Sequence, residues 1–250
     1  MKVVFFDSGV GGLTVLKDAR AILPYEQYVY YADSDHVPYG TKSKAEIKKM
    51  VLNALKYFKV EEVKAVVLAC NTATSVAIKD LRRKFIFPIV GMEPAIKPAT
   101  GVGSKKILVC ATDRTLDLHK LNDLIDNLKV GDRVEKMSLQ ELVMFAEYFN
   151  FFDPLINDYL KGKFSNVNWN EFDSVVLGCT HFLFFKTHLR KFIPESIKII
   201  DGNLGTVNRL QSLIVENVSN NGSLTFLRSG RKVSNLEFDH YIRYYNEITE

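Results

Sequence analysis

The chain has 250 residues, 47% of them hydrophobic and 25% charged, with a formal net charge of +4, an ordinary composition for a soluble globular protein with one large domain or two small ones. Three cysteines with no Cys-x-x-Cys pair argue against a disulfide framework and against a zinc ribbon, and fit a reducing compartment. No apolar stretch reaches membrane-spanning length, and the opening Met1–Phe6 run, ended by Asp7, is too short for a signal peptide, so the expected location is the cytoplasm.

Short β-branched runs alternate with helical patterns along the chain, which predicts an α/β protein with mainly parallel sheets. The expected strands are Lys2–Phe6, Gln27–Ala32, Ala65–Ala69, Pro88–Met92, Lys106–Ala111, Arg133–Met137, Ser174–Gly178 and Ile197–Ile200. The expected helices are Leu13–Ile22, Lys44–Phe58, Thr74–Phe85, Thr115–Asn127, Gln140–Phe149, Phe182–Phe192, Leu204–Val218 and Leu236–Ile248. Lysine and arginine cluster at 42–49, 82–84 and 186–191. No nucleic-acid-binding signature accompanies them, so they read as solvated helix faces.

The most informative feature is an internal echo. Val66-Val-Leu-Ala-Cys-Asn-Thr72 is followed by Val175-Val-Leu-Gly-Cys-Thr-His181, which places Cys70 and Cys179 109 residues apart. Lys2-Val-Val-Phe-Phe-Asp-Ser matches Lys106-Ile-Leu-Val-Cys-Ala-Thr at an offset of 104. Val-Val-Leu is a common buried-strand run, but the polar residues after each strand match in type as well. The spacing predicts two pseudo-symmetric α/β lobes, 1–95 with the tail 211–250, and 96–210, facing each other across a cleft that holds the active site. Repeats of this length are unlike those of solenoids.

Ligands of open α/β sheets bind beyond the carboxyl ends of the strands. Cys70, Cys179, Asp7, Ser8, Asp33, Ser34 and Thr112 all occupy such ends. A lone buried cysteine is usually a small hydrophobe, as Cys110 inside its strand is expected to be. Cys70 and Cys179 instead follow strands, precede helices and have Asn, Thr or His beside them. A helix N-terminus is expected to lower a thiol's pKa. Two matched thiols suit racemisation, in which one face of a carbon loses a proton and the other gains one. Asp7 is either a partner of Cys70 or a turn cap. His181 either assists Cys179 or holds substrate. No second ligand pair stands at metal spacing, so no metal site is expected. Asp7-Ser-Gly-Val-Gly-Gly12 lacks the dinucleotide fingerprint and is either an anion-binding loop or a tight turn.

Together, Phe6-Asp-Ser-Gly-Val-Gly-Gly-Leu-Thr-Val-Leu16, Tyr31-Ala-Asp-Ser34, Val37-Pro-Tyr-Gly-Thr41, Ala69-Cys-Asn-Thr-Ala73, Val90-Gly-Met-Glu-Pro94 and Leu177-Gly-Cys-Thr-His-Phe182 resemble the glutamate racemases of the aspartate/glutamate racemase superfamily, in the family's order. The resemblance implies a cofactor-free homodimeric enzyme that interconverts L- and D-glutamate and supplies D-glutamate for peptidoglycan. It implies Cys70 and Cys179 as catalytic thiols, with Asp7 supporting Cys70 and His181 supporting Cys179. It implies substrate contacts from Asp7, Ser8, Pro38, Tyr39, Gly40, Asn71, Thr72, Thr180 and His181.

Two segments depart from the family pattern. A glutamate that the family places near the second thiol falls in Ser138-Leu-Gln-Glu-Leu-Val-Met-Phe-Ala-Glu147, which lacks the usual proline, so Glu147 is the first candidate and Glu141 the second. The usual Gly-Thr after the fifth strand is Ala111-Thr112, which keeps Thr112 as a candidate ligand. Three other readings stay open at this point: a racemase of aspartate or another acidic amino acid, a thiol hydrolase or isomerase using Cys179 and His181, and a non-catalytic anion-binding module.

Overall fold

In the computed structural model, which describes residues 1–218 and 222–247 apart from the side chains of His119 and Glu247, ten strands form two sheets. Four strands of the first sheet come from the N-terminal part: β1 (Lys2–Asp7), β2 (Gln27–Ala32), β3 (Val63–Leu68) and β4 (Ile89–Gly91). The second sheet contains β5 (Lys106–Ala111), β6 (Val134–Ser138), β7 (Phe172–Leu177) and β8 (Lys198–Asp201). The tail returns to the first sheet as β9 (Ser223–Arg228) and β10 (Arg231–Lys232). The strand orders are β10-β9-β2-β1-β3-β4 and β6-β5-β7-β8, parallel throughout except between β9 and β10.

The echo in the sequence becomes a repeat of topology. The order β2-β1-β3-β4 is reproduced as β6-β5-β7-β8. Even an irregularity recurs: the register slips between Lys2 and Val3 where β1 meets β3, and between Lys106 and Ile107 where β5 meets β7. In each sheet the chain lays its second strand on one side of the first and its third on the other. That reversal opens a crevice at the carboxyl ends of β1 and β3, and another beyond β5 and β7. The strands carry near-continuous apolar runs, Val3–Phe6 and Val175–Leu177 among them, because helices cover both faces.

The helices are α1 (Leu13–Ile22), α2 (Lys44–Lys56), α3 (Asn71–Lys84), α4 (Ile96–Thr100), α5 (Asp113–Leu116), α6 (His119–Asn127), α7 (Glu141–Glu147), α8 (Pro154–Phe164), α9 (Lys186–Arg190), α10 (Asn203–Gln211) and α11 (Asn235–Glu247). Among the described residues none is long and apolar enough to cross a membrane. α10 packs on α1 and β4, and α11 also lies against α1. One apolar cluster runs through both lobes, joining Val10, Leu13 and Leu16 to Leu142, Val143, Phe182 and Phe185.

Several elements differ from the sequence reading. The expected helix Thr115–Asn127 is broken, because Leu118 is extended and buried between α5 and α6. The expected helix Phe182–Phe192 begins as a 3-10 turn over Thr180–Phe185, a winding that stacks residues three apart and so buries Phe182 and Phe185 together. The expected helix Leu204–Val218 stops at Gln211, and Val215 and Val218 beyond it stay exposed. Helix α8 was not anticipated, although Asp153 caps it and Pro154 opens it, a usual helix start. Strands β9 and β10 also escaped the reading, since β9 buries only Phe226 and Leu227. Ile248, the expected end of the last helix, lies outside the described residues.

Candidate active site

The strand ends of the two lobes meet at one narrow cavity, closed down to the room of about one water molecule. Cys70 and Cys179 both line it, one from each lobe. Ser8, Pro38, Tyr39, Gly40, Asn71 and Thr72 line it from the first lobe. Thr112, Thr180 and His181 do so from the second, together with Val143 of α7. Asp7 and Glu147 stand one hydrogen bond behind, whereas three candidates fall outside: Asp33 is reached only through the Tyr39 hydroxyl, Ser34 lines a separate pocket beside Tyr241, and Glu141 stays away from the cavity. Glu141 is exposed in the first turn of α7, on solvent.

Cys70 caps α3: its Sγ accepts from the Ala73 amide at 3.4 Å and from the Ser8 hydroxyl at 3.6 Å. The expectation that a helix N-terminus lowers its pKa does not hold. Burial pushes the Cys70 thiol up to about 12, with the nearby Asp7 carboxylate adding to the shift and the two hydrogen bonds only offsetting part of it. Desolvation of a charge outweighs a helix terminus when the group is fully buried. Cys179 is followed by the 3-10 turn rather than by an α-helix.

Asp7 is fully buried and raised to about 6 by desolvation, with His181 and the Gly9 amide pulling the other way. Its Oδ1 accepts from Gly9 N–H at 2.8 Å, and its Oδ2 lies 3.5 Å from the Thr180 hydroxyl of the opposite lobe. Asp7 is thus both turn cap and neighbour of the thiol.

The second thiol has a different support. Cys179 Sγ is 3.6 Å from His181 Nδ1, and His181 Nε2 is 2.6 Å from Glu147 Oε1. That oxygen also accepts from the Val10 amide at 2.8 Å. Burial acts to lower the His181 pKa, but the bonds to Cys179 and Glu147 overcome it and raise the value well above the ordinary range. The Asp7–Gly12 loop therefore receives an anion, but an internal one, the Glu147 carboxylate. The close approach explains two glycines. A Cβ on Gly9 would lie 1.7 Å from Glu147 Oε1, and one on Gly11 would lie 2.5 Å from His181 Nδ1.

The cavity is lined with groups that bind anions and amines without adding an acid of their own. The hydroxyls of Thr72, Thr112 and Thr115 form a triangle at 3.0–3.2 Å that bridges the lobes. Asn71 Oδ1 is buried and has no hydrogen-bond partner among the described residues. Tyr39 contributes less than its hydroxyl suggested, because that hydroxyl donates to Asp33 Oδ2 at 2.5 Å. Sequence reasoning missed Thr115 and Val143. Thr115 stands three residues after Thr112, one helical turn on, which was a usable signal; Val143 carried none.

The chain is similar to known proteins over most of its length. A family model described as Asp/Glu/Hydantoin racemase matches residues 14–210. The chain belongs to that family. A glutamate racemase of Halothermothrix orenii is 47% identical over 238 residues, covering 93% of this chain and 94% of the relative. Among solved structures, a glutamate racemase of Campylobacter jejuni superposes with a TM-score of 0.85 at 28% identity, covering 98% of each chain. The Escherichia coli glutamate racemase, solved with L-glutamate and the activator UDP-MurNAc-Ala, superposes at 0.79 with 31% identity, over 97% of this chain and 95% of that one. Likeness over nearly the full length extends to both racemase lobes and to the strand ends that carry Cys70 and Cys179.

Among the described residues no group of three or more His, Cys, Asp or Glu side chains is arranged to hold a metal ion.

Proposed function

We propose that this racemase-family protein interconverts L- and D-glutamate with Cys70 and Cys179 as opposed acid and base. The carrying observation is that homologous strand ends of two pseudo-symmetric lobes bring both sulfurs to one cavity. In one direction a thiolate on one side takes the α-proton, leaving a planar carbanion stabilised by its carboxylate. The thiol on the other side then delivers a proton to the opposite face. In the reverse direction the sulfurs exchange roles, so atoms and charge balance over a cycle.

The two halves are activated differently. Cys70 rests as a thiol, and the same burial that holds its pKa up to about 12 makes its thiolate a strong base once formed. Cys179 faces an imidazole that Glu147 keeps oriented and positively charged. Asp7 supports the Cys70 side and His181 the Cys179 side.

Glutamate is favoured by the substrate named for the relatives and by the polar lining. The Thr72 and Thr112 hydroxyls, which line the cavity with Thr115 behind them, can turn their hydrogens to a carboxylate, and Asn71 Oδ1 suits an ammonium. Ser8, Thr180 and the backbone around Pro38–Gly40 complete the enclosure. The division into lobes 1–95 with 211–250 and 96–210 is part of this proposal, as are the homodimer, the cytoplasmic location and the supply of D-glutamate for peptidoglycan.

The test is incubation with L- or D-glutamate in D₂O, following optical rotation and α-deuterium. Racemisation with deuterium entering the product, lost in Cys70→Ser and in Cys179→Ser, is expected. Turnover of aspartate but not glutamate would move the reading to a sister substrate. No exchange with any acidic amino acid, or full racemisation by either variant, would overturn it.

A further inference from the structure

The two thiols are supported unequally, and the C-terminal helix lies behind only one of them. Tyr244 of α11 is fully buried, and its hydroxyl lies 2.8 Å from the Ala146 carbonyl and 2.9 Å from the Glu147 carbonyl. Those are two of the last carbonyls of α7; the Ala146 carbonyl also accepts from the Phe149 amide at 3.0 Å, so the Tyr244 hydroxyl meets the α7 end where the chain turns out of the helix. Two residues beyond Glu147, Phe149 takes a left-handed conformation at φ 60°. This is an unfavourable region for a bulky residue, held only when surroundings over-determine it. The Tyr244 ring stands edge-on to Phe149 with centroids 4.6 Å apart, and the Phe151 ring packs against Phe149 at 4.8 Å. The chain reversal that ends α7 is thus clamped from α11.

Helix α11 is in turn fixed to the first lobe. Tyr241, one turn before Tyr244, stacks on Phe226 of β9 with ring centroids 5.0 Å apart. Its hydroxyl lies 3.4 Å from that of Ser34, at the end of β2. The helix therefore transmits the position of the first sheet to the end of α7, where Glu147 must reach both His181 and the Val10 amide. Cys70 draws its support instead from Ser8, Asp7 and the start of α3.

We infer that Tyr244 is a positioning residue for racemisation: by holding the last carbonyls of α7, it sets the Glu147 carboxylate against His181 and so tunes the Cys179 half of the site. The inference rests on the functional reading above. Tyr244 touches neither the cavity nor a sulfur and acts only through Glu147.

A double-mutant cycle on the full chain tests it, using Tyr244→Phe, Glu147→Gln and the pair, assayed in both directions with glutamate. Tyr244→Phe deletes one oxygen and keeps the ring against Phe149. It should lower kcat about threefold to tenfold, the scale of one hydrogen bond, and leave KM within about twofold. In the Glu147→Gln background the same change should cost less than about twofold. Tyr241→Phe gives up only the 3.4 Å contact with Ser34 and keeps the ring stacked on Phe226, so α11 stays seated and kcat should remain that of the wild type. Because the enantiomers have equal energy, kcat/KM must change equally in both directions, an internal check. Multiplicative losses in the double variant, a change in KM alone, or an equal loss in Tyr241→Phe would overturn the inference while leaving the racemase reading intact. A wild-type protein that does not racemise glutamate would overturn both.

Discussion

Glu147 and His181 lie 34 residues apart in sequence and 2.6 Å apart in space, Oε1 to Nε2, with both side chains almost wholly buried. The pair fixes the orientation of an imidazole whose other nitrogen faces Cys179. An isosteric Glu147→Gln keeps an oxygen for the Val10 amide but removes the charge. Racemisation should drop roughly 10²-fold, the scale of a general acid–base contribution, with KM little changed. The His181 titration, followed by NMR, should move down toward its ordinary value. An unmoved titration with full activity would show that the carboxylate is only structural.

Asp7 sets function against stability. Its pKa is pushed from 3.8 up to about 6. The folded state therefore disfavours the ionised carboxyl. The fold is fully stable with respect to this group below pH 4, and loses that stability as pH rises through about 6. At about 1.4 kcal/mol per unit the loss is about 3 kcal/mol above that window. Asp7→Asn should therefore raise unfolding free energy at pH 7.5 by up to that amount, with the gain shrinking toward pH 4, while racemisation collapses. Equal stabilities of the two proteins at pH 7.5 in urea melts would contradict the assignment.

The Cys70 thiol, raised to about 12 by burial, is neutral at pH 7. In the unliganded folded protein, iodoacetamide should label Cys70 far more slowly than in the urea-unfolded chain, where an ordinary thiol pKa of about 8.5 applies. Labelling should accelerate with each unit of pH. Mass mapping that finds Cys70 modified equally fast in both states at pH 7 would rule out a resting thiol.

Thr115 closes the hydroxyl triangle with Thr72 and Thr112. Thr115→Val keeps the shape and deletes the hydroxyl. Thr115 stands behind the Thr72 and Thr112 hydroxyls that line the cavity, so its loss acts through them, and KM for glutamate should rise about threefold to tenfold, the scale of one hydrogen bond. The effect on kcat should be smaller. A loss confined to kcat would place the hydroxyl elsewhere in the reaction.

Much of this was legible in the chain. The 109-residue echo around Cys70 and Cys179 anticipated two sheets of the same topology, because a buried parallel strand and the polar turn after it leave a recognisable pattern. Phe6–Gly12 and Leu177–Phe182 marked the strand ends that line the cavity. The start of helix α8 is also written plainly in Asp153-Pro154. Glu147 was identifiable only as one of two carboxylates on a short helix, because nothing local separates a solvent-facing glutamate from one aimed across a cleft.

The sequence by itself determined strands β1 to β8, where each thiol stands after its strand, and that the two stand in matching places, since these follow from nearest neighbours along the chain. Only the tertiary structure decided that Glu147 rather than Glu141 reaches His181, that Tyr39 spends its hydroxyl on Asp33, and that α11 braces one half of the site. It also reversed the expected direction for Cys70, because a pKa depends on how much water and charge surround a group, and both are fixed by residues far away in the chain.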